Sequence, residues 1–388
     1  TPRSGRRTEM AWTIDRRDFE ARLAILEVVG ASAPSTMPAI FGHARLAFAG
    51  NKLVLEAFNS MIGYRSRMTC THVSGKPEGE RIIPAVLLAH AVKSARASVK
   101  KISVEFKDEN AVIVRDGSGS AGFSANFMTV PVENYTPLPQ PEEMAPLVWQ
   151  GPLTSLVVPL VTLRRLARQA KAPGVVWGGD LMVGSGTAAA IWPLDGAKKM
   201  APIVLPPDAI EIAALFDGSG QTATVQVSSS SIFISSKDGV VMSRLFEAKV
   251  PDIATIVSHL AETNTQAIVA NRENLLEAIS RVKPFSEALV SSELIELKFE
   301  KGKVRISGRS ESRHASAEIS YGGTVGARTE VLNADLLTSV LQMADTEEVK
   351  MKFSREATKP ILIGPVPPKV EKAKPAFIAV VAPYADKV

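Results

Sequence analysis

The sequence predicts an α+β chain built from three tandem copies of one domain, each mostly strand with two helices. Three observations carry this. Short β-branched strands joined by tight turns recur along the 388 residues. Six helical segments fall in three pairs. An apolar pair followed by Pro or Asn precedes a helix three times, at Ile82-Ile83-Pro84, Val204-Leu205-Pro206 and Val331-Leu332-Asn333, in steps of 122 and 127 residues. A second unit also recurs: Asp15-Arg16-Arg17-Asp18-Phe19 resembles Asn271-Arg272-Glu273-Asn274-Leu275. Pro159–Leu163 holds the corresponding place in the middle third, without the polar pattern.

Strands are expected at Lys52–Ala57, Lys101–Phe106, Ala111–Arg115, Thr222–Val227, Ser231–Ser235, Leu294–Glu300 and Lys303–Ser307. The turns Lys107–Asn110, Ser228–Ser230 and Lys301–Gly302 join them into hairpins. Helices are expected at Arg17–Val29, Ala85–Ser98, Thr162–Lys171, Pro207–Phe216, Arg272–Val282 and Ala334–Ala344. Asp15, Asn271 and Asn333 stand where N-caps belong. Pro84 and Pro206 stand where a missing N–H costs nothing. Each third closes on an apolar strand with proline behind it: Phe127–Pro131, Leu245–Pro251 and Ile378–Pro383. The last of these is either a buried strand or one whose end lines an apolar groove; both can hold. Pro137–Pro146, with four prolines, reads as an extended linker, and Ala261–Thr265 as a shorter polar join. The expected domains are therefore 10–140, 147–262 and 265–388.

Composition excludes several classes. Cys70 is the only cysteine, so there is no disulfide framework and no multi-cysteine metal site. It fits a reducing compartment. The five histidines have no metal-binding spacing. No stretch is long and apolar enough to span a bilayer. The basic Thr1–Arg7 segment lacks the apolar run of a secretory signal. A net charge of +5 permits nucleic-acid binding without establishing it.

Catalytic motifs fail on context. Gly117-Ser118-Gly119-Ser120-Ala121-Gly122 spells a dinucleotide fingerprint, but Phe123–Val130 after it alternates like a strand, and the motif needs a helix there. Gly184-Ser185-Gly186-Thr187 has no lysine close behind and reads as a turn. Cys70 and His72 share a strand face but lack an orienting third group. Glu142-Glu143 and Glu347-Glu348 read as solvated charge. No enzyme is expected, and no cofactor or metal.

One helix is unusually basic. Arg164, Arg165, Arg168 and Lys171 lie within eight residues with no acid among them. Arg164 and Arg168 share a face, as do Arg168 and Lys171. Arg16, Lys93, Arg96, Lys198, Lys199, Arg281 and Lys283 add charge on or beside other helices. Aromatic residues are only 6%, so this pattern suits duplex phosphates better than stacked single strands.

In the last third, Asn271–Val282, Leu294–Gly308, Glu318–Gly323, Leu332–Ala344 and Val380–Pro383 follow the order and character of a known family. So do Thr36-Met37-Pro38-Ala39-Ile40 and Ile83-Pro84-Ala85 in the first third, and Ser243-Arg244-Leu245 through Val250-Pro251-Asp252 in the middle. From about Met10 to Tyr384 the chain resembles the bacterial DNA polymerase III beta subunit, the replicative sliding clamp, as a divergent member. The resemblance implies a head-to-tail homodimer of six domains closed around duplex DNA, with helices inside and antiparallel sheets outside. It implies a non-catalytic processivity factor in the cytoplasm, at the nucleoid, with no membrane contact. The basic residues named above would face DNA.

DNA polymerase and clamp loader would dock short peptides in a groove between the second and third domains. Carried over by position, that groove includes Trp177, Val183, Ser185, Thr187, Ala190, Pro251, Ile256, Val380, Val381, Ala382, Pro383 and Tyr384. Phe123 of one protomer would meet Pro284 and Phe285 of the other. The chain departs from the family where a polar run becomes Gly186-Thr187-Ala188-Ala189, and where a methionine becomes Ala382. The groove should therefore be reshaped. A clamp-derived adaptor that binds peptides without encircling DNA is the alternative.

Overall fold

The local helix signals are realised in the computed structural model. It describes residues 10–33, 35–108, 110–116, 122–141, 145–215, 221–246, 251–286, 288–289, 292–310, 313–356, 359–366 and 376–384. Seven α-helices stand among them: α1 (Arg16–Ala31), α2 (Ala85–Lys93), α3 (Leu153–Gln169), α4 (Pro207–Leu215), α5 (Ile253–Thr263), α6 (Arg272–Val282) and α7 (Ala334–Met343). Asp15 accepts from the N–H of Asp18 and Asn271 from that of Asn274, so the two likened segments cap α1 and α6 in the same way. Asn333 caps α7 through the N–H groups of Asp335 and Leu336.

Three helices differ from expectation. The second stops at Lys93 rather than Ser98; Ser94, its C-cap, donates both its N–H and its hydroxyl to the His90 carbonyl. The third starts at Leu153, nine residues before Thr162, and runs through Pro159. Leu153, Leu156, Leu160 and Leu163 recur at helical spacing and are all buried, and that burial outweighs the proline. Pro159–Leu163 is thus helix, not the opening of a repeat. Helix α5 occupies much of what reads as the second join; Ile253, Val257 and Leu260 form its buried stripe. The expected hairpin strands are present, most lengthened by one to three residues at an end. Of the closing strands, Phe127–Pro131 is strand only as far as Met128, within Ser124–Met128, and the described residues of Leu245–Pro251 hold no strand, only a bridge from Phe246 to Val204. Thr1–Arg7, Pro34, the 117–121 part of the glycine-rich turn, Glu142-Glu143, Phe216, residues 247–250 of the Leu245–Pro251 strand and Ala385–Val388 lie outside the described residues.

The chain divides into two compact units, Thr1–Val157 with Pro206–Leu245 and Val158–Leu205 with Phe246–Val388. The division runs through the middle third of the sequence.

The first unit holds two antiparallel sheets. A five-stranded sheet runs Thr71–Ser74, Met10–Asp15, Lys101–Asp108, Ala111–Arg115, Ser124–Met128. An eight-stranded sheet runs Leu147–Pro152, Thr222–Val227, Ser231–Ser236, Gly239–Arg244, Ile62–Thr69, Lys52–Phe58, His43–Ala49, Glu78–Pro84. Trp12 anchors the core, stacked on Phe48 at 4.1 Å with the edge of Phe106 at 5.2 Å. The proline-rich join is tied down within this unit. Leu138 is buried with Phe58, Phe233 and Met242. A Cβ at Gly63 would overlap its Cδ1, which is why glycine stands there. Glu56, fully buried, pairs with Arg65 and accepts from the Leu138 N–H at 3.0 Å; Arg65 donates to the Leu138 carbonyl at 2.8 Å.

The second unit holds one extended sheet of thirteen strands. It begins Ile203–Leu205, Val175–Trp177, Leu181–Gly184, Ala188–Trp192, Ile378–Val381, Ile361–Pro365, Glu348–Phe353, Gln266–Asn271. It continues Arg313–Thr324, Lys303–Ser310, Ser292–Glu300, with Ala288–Leu289 and Arg328–Asn333 both paired to the last of these. Arg313–Thr324 turns a corner: residues up to Ser320 pair with Lys303–Ser310 and those from Tyr321 with Gln266–Asn271. Gly323, at φ +99°, lies just past the change of partner, opposite Ile268. One kind of contact recurs inside each unit: Arg81 lies over Phe106 at 4.9 Å in the first, and Arg328 over Phe353 at 5.0 Å in the second.

Candidate functional site

Helix α5 organises the candidate groove. Asp252 caps it, accepting from the N–H and hydroxyl of Thr255 at 3.1 and 2.7 Å. Both bonds favour the ionised form and hold the Asp252 carboxyl below its ordinary pKa. The buried stripe of α5 packs on Ala189, Leu362 and Val380, three residues side by side on adjacent strands. At its start, Ile253 lies against Gly184, where a Cβ would come within 2.7 Å of Ile253 Cδ1. Helix and sheet therefore meet closely only because residue 184 has no side chain.

The turn Gly184-Ser185-Gly186-Thr187 is a tight link between strands. Ser185 Oγ accepts from the N–H of Thr187 and Ala188 at 3.2 and 3.3 Å. The C-terminal segment is tied to this turn, since the Ala382 N–H donates to Thr187 O at 2.9 Å. Its next anchor is the Tyr384 N–H, bonded to Val331 O at 2.8 Å. Ser185, Thr187, Ala382, Pro383, Tyr384, Pro251 and Ile256 are all partly or fully exposed, with Ile256 at 45% and Tyr384 at 37%. Of the residues expected in the groove, these are the accessible lining.

Trp177, Val183, Ala190 and Val381 are fully buried and offer no surface to a ligand, and Val380 is buried under α5. Strand alternation explains this: Ala189 and Val380 face α5, so Ala190 and Val381 point the other way. Gly184, Ile253 and Leu362 shape the site yet escape a sequence reading as groove residues, whereas Ala189 stands in the run expected to reshape it. The Asp252 cap and the i, i+4, i+7 spacing of Ile253, Val257 and Leu260 are the signals that reveal α5. No side chain of the accessible lining carries charge.

The basic residues divide into two groups. Arg16 pairs with Glu20 at 2.7 Å and also reaches the Arg96 carbonyl. Lys93 pairs with Glu27 at 2.5 Å, Arg281 pairs with Glu277, and Lys283 bridges Asp335 and Glu293 at 2.8 and 3.0 Å. Arg96 and Arg164 are also engaged. Arg165, Arg168, Lys171, Lys198 and Lys199 are exposed and form no ion pair among the described residues. Arg165 and Arg168 lie on the exposed side of α3, whose buried side is the leucine stripe.

Phe123 is half-buried and precedes the edge strand Ser124–Met128; its N–H donates to Asp116 Oδ1 at 2.9 Å. Pro284 and Phe285 are exposed in the 3-10 turn Lys283–Phe285 of the other unit. Cys70 is buried near the Gly50 carbonyl, and burial pushes its thiol up to about 11, the opposite of an activated nucleophile. Among the described residues no three metal-ligating side chains converge, and no helix is long and apolar enough to cross a membrane.

Residues 259–374 match the family model of the DNA polymerase III beta subunit, C-terminal domain. No curated protein matches the chain in sequence. Solved structures match nearly all of it. A Thermotoga maritima DNA polymerase III beta subunit is 18% identical, with a TM-score of 0.78 over 97% of this chain and 100% of its own. A Bartonella birtlesii sliding clamp, solved bound to griselimycin, gives the same values. A Pseudomonas aeruginosa sliding clamp is 20% identical, with a TM-score of 0.75 over 97% of this chain and 99% of its own. At these identities the shared property is the fold. The chain has the sliding-clamp fold along its whole length, as its sequence led one to expect.

Proposed function

We propose that this chain, which has the sliding-clamp fold throughout and matches the clamp family's C-terminal domain over 259–374, is a DNA sliding clamp. Three clamp domains, 10–140, 147–262 and 265–388, would make half a ring. Two copies would close it head to tail, with Phe123 of one facing Pro284 and Phe285 of the next. The protein would not be an enzyme. It would act by linkage: a closed ring slides along duplex DNA without gripping it, because phosphate attraction is weak and non-directional. A polymerase tethered to it gains effective concentration at the primer end. Clamp loader and polymerase would dock through short peptides between α5, the Ser185–Thr187 turn and Ala382–Tyr384. The protein would work in the cytoplasm, at the nucleoid.

The observation that carries this reading is the full-length clamp fold, which aligns with 99–100% of the solved clamps quoted above. The uncompensated Arg165, Arg168 and Lys171 support it. The test is retention on nicked circular DNA after loading, compared with the same DNA linearised. A clamp is retained on the circle and lost from open ends. Equal loss from both would favour the alternative, an adaptor that binds peptides without encircling DNA.

A further inference from the structure

We propose that the second unit carries another recognition site, beside the C-terminal half of α5, for a peptide that sets an apolar side chain among carboxylates. It is separate from the groove at the start of α5 and does not rest on the clamp reading. The sheet under α5 presents two parallel rows of side chains. Ala189, Val380 and Leu362 form the row that α5 covers. Met182, Ile191 and Ile378 form the next row, paired strand to strand, and stay only half-buried along the helix edge. Beyond Ile378 the floor drops at Gly364, whose register partner is Lys350.

A pocket of about 160 Å³ opens there. Its walls are Ala261, Leu362, Pro365 and Ile378, and Lys350 and Lys352 stand on its rim. The depth comes from Gly364, where a Cβ would press on the Phe377 carbonyl at 3.2 Å. Neither lysine forms an ion pair among the described residues. Glu348 shares their strand face and Glu262 follows Ala261, but neither lines the pocket. An apolar floor with two cations on its rim and no anion among its described lining residues complements an aliphatic side chain flanked by acids.

The test uses the full chain and a fluorescein-labelled peptide, Asp-Glu-Ile-Glu-Asp, read by anisotropy at low salt. The expected result is binding that weakens by about tenfold or more when the isoleucine becomes alanine or when the acids become lysines. Lys350→Glu with Lys352→Glu should weaken it by about tenfold or more, and more salt should do the same in part. Ala261→Trp, at an exposed helix position, should block the pocket without unfolding the chain, and decides the matter if the double variant misfolds. Thr187→Arg, in the terminal groove, should change nothing. Unchanged affinity in Ala261→Trp, or loss in Thr187→Arg, overturns the proposal. So does self-association that Ala261→Trp abolishes, which would give the pocket to a second copy.

Discussion

Glu56 has no exposed surface, and what it does there is specific. With Arg65 it grips both backbone groups of Leu138, so a proline-rich join becomes a fixed strap. Arg65→Met leaves that carboxylate buried and unpaired, a change that costs about 3–5 kcal/mol. The urea midpoint of the first unit should fall accordingly, and Glu56→Met with Arg65→Met should recover much of the loss. An unchanged midpoint in the single variant would mean that water reaches Glu56. Cys70 allows a second prediction. Its thiol is raised from 9.0 to about 11, so folding favours the protonated form. That stability is complete below pH 9 and is lost as pH rises through 11. Iodoacetamide should therefore leave native protein unmodified at about pH 8 and label it quickly in urea; fast native labelling would contradict the burial argument.

Helix α5 shows how one element can be invisible and still decide a site. Its polar last turn reads as a linker, yet Asn264 behind it donates to the carbonyls of Lys352 and Pro360 at 3.1 and 2.9 Å. Asn264→Ala takes the donor from two part-buried carbonyls, at about 1–3 kcal/mol. Amide exchange in α5 should speed up while α6 and α7 stay protected; uniform change would indicate global rather than local loosening. At the other end, Gly184→Val would push Ile253 off the sheet. Partner-peptide affinity should fall in that variant with the unit still folded, and full retention would remove α5 from the groove. By contrast α1, α6 and α7 were legible, because their Asp or Asn caps stand directly before apolar-periodic runs; α5 has the same kind of cap in Asp252, but its polar last turn drew the boundary through it.

At the scale of the molecule, charge and closure are the testable quantities. Arg165→Glu with Arg168→Glu reverses two exposed cations that no described acid neutralises. DNA retention should drop and its salt dependence should flatten, whereas Lys283→Glu acts mainly through Asp335 and Glu293 and should lower stability instead. Equal effects from both would undo the distinction. Light scattering should give about twice the 41.5 kDa of one chain if two copies close a ring. A monomer at micromolar concentration would point to an open crescent and to the adaptor.

What the sequence determined by itself was strand alternation, hairpin turns, caps and the order of repeating units. Alternation, turns and caps act over a few residues; the order of the repeating units, and the resemblance that rested on it, runs from about Met10 to Tyr384 but fixes no strand pairing. Only the tertiary structure decided that Gly239–Arg244 pairs with Ile62–Thr69, and Ala188–Trp192 with Ile378–Val381, joining strands far apart in the chain. Only it decided that Trp177, Ala190 and Val381 turn inward while Ala189 faces α5. The reason is physical. A one-residue change of strand register flips every side chain to the other face, and register between distant strands is set by what packs against them.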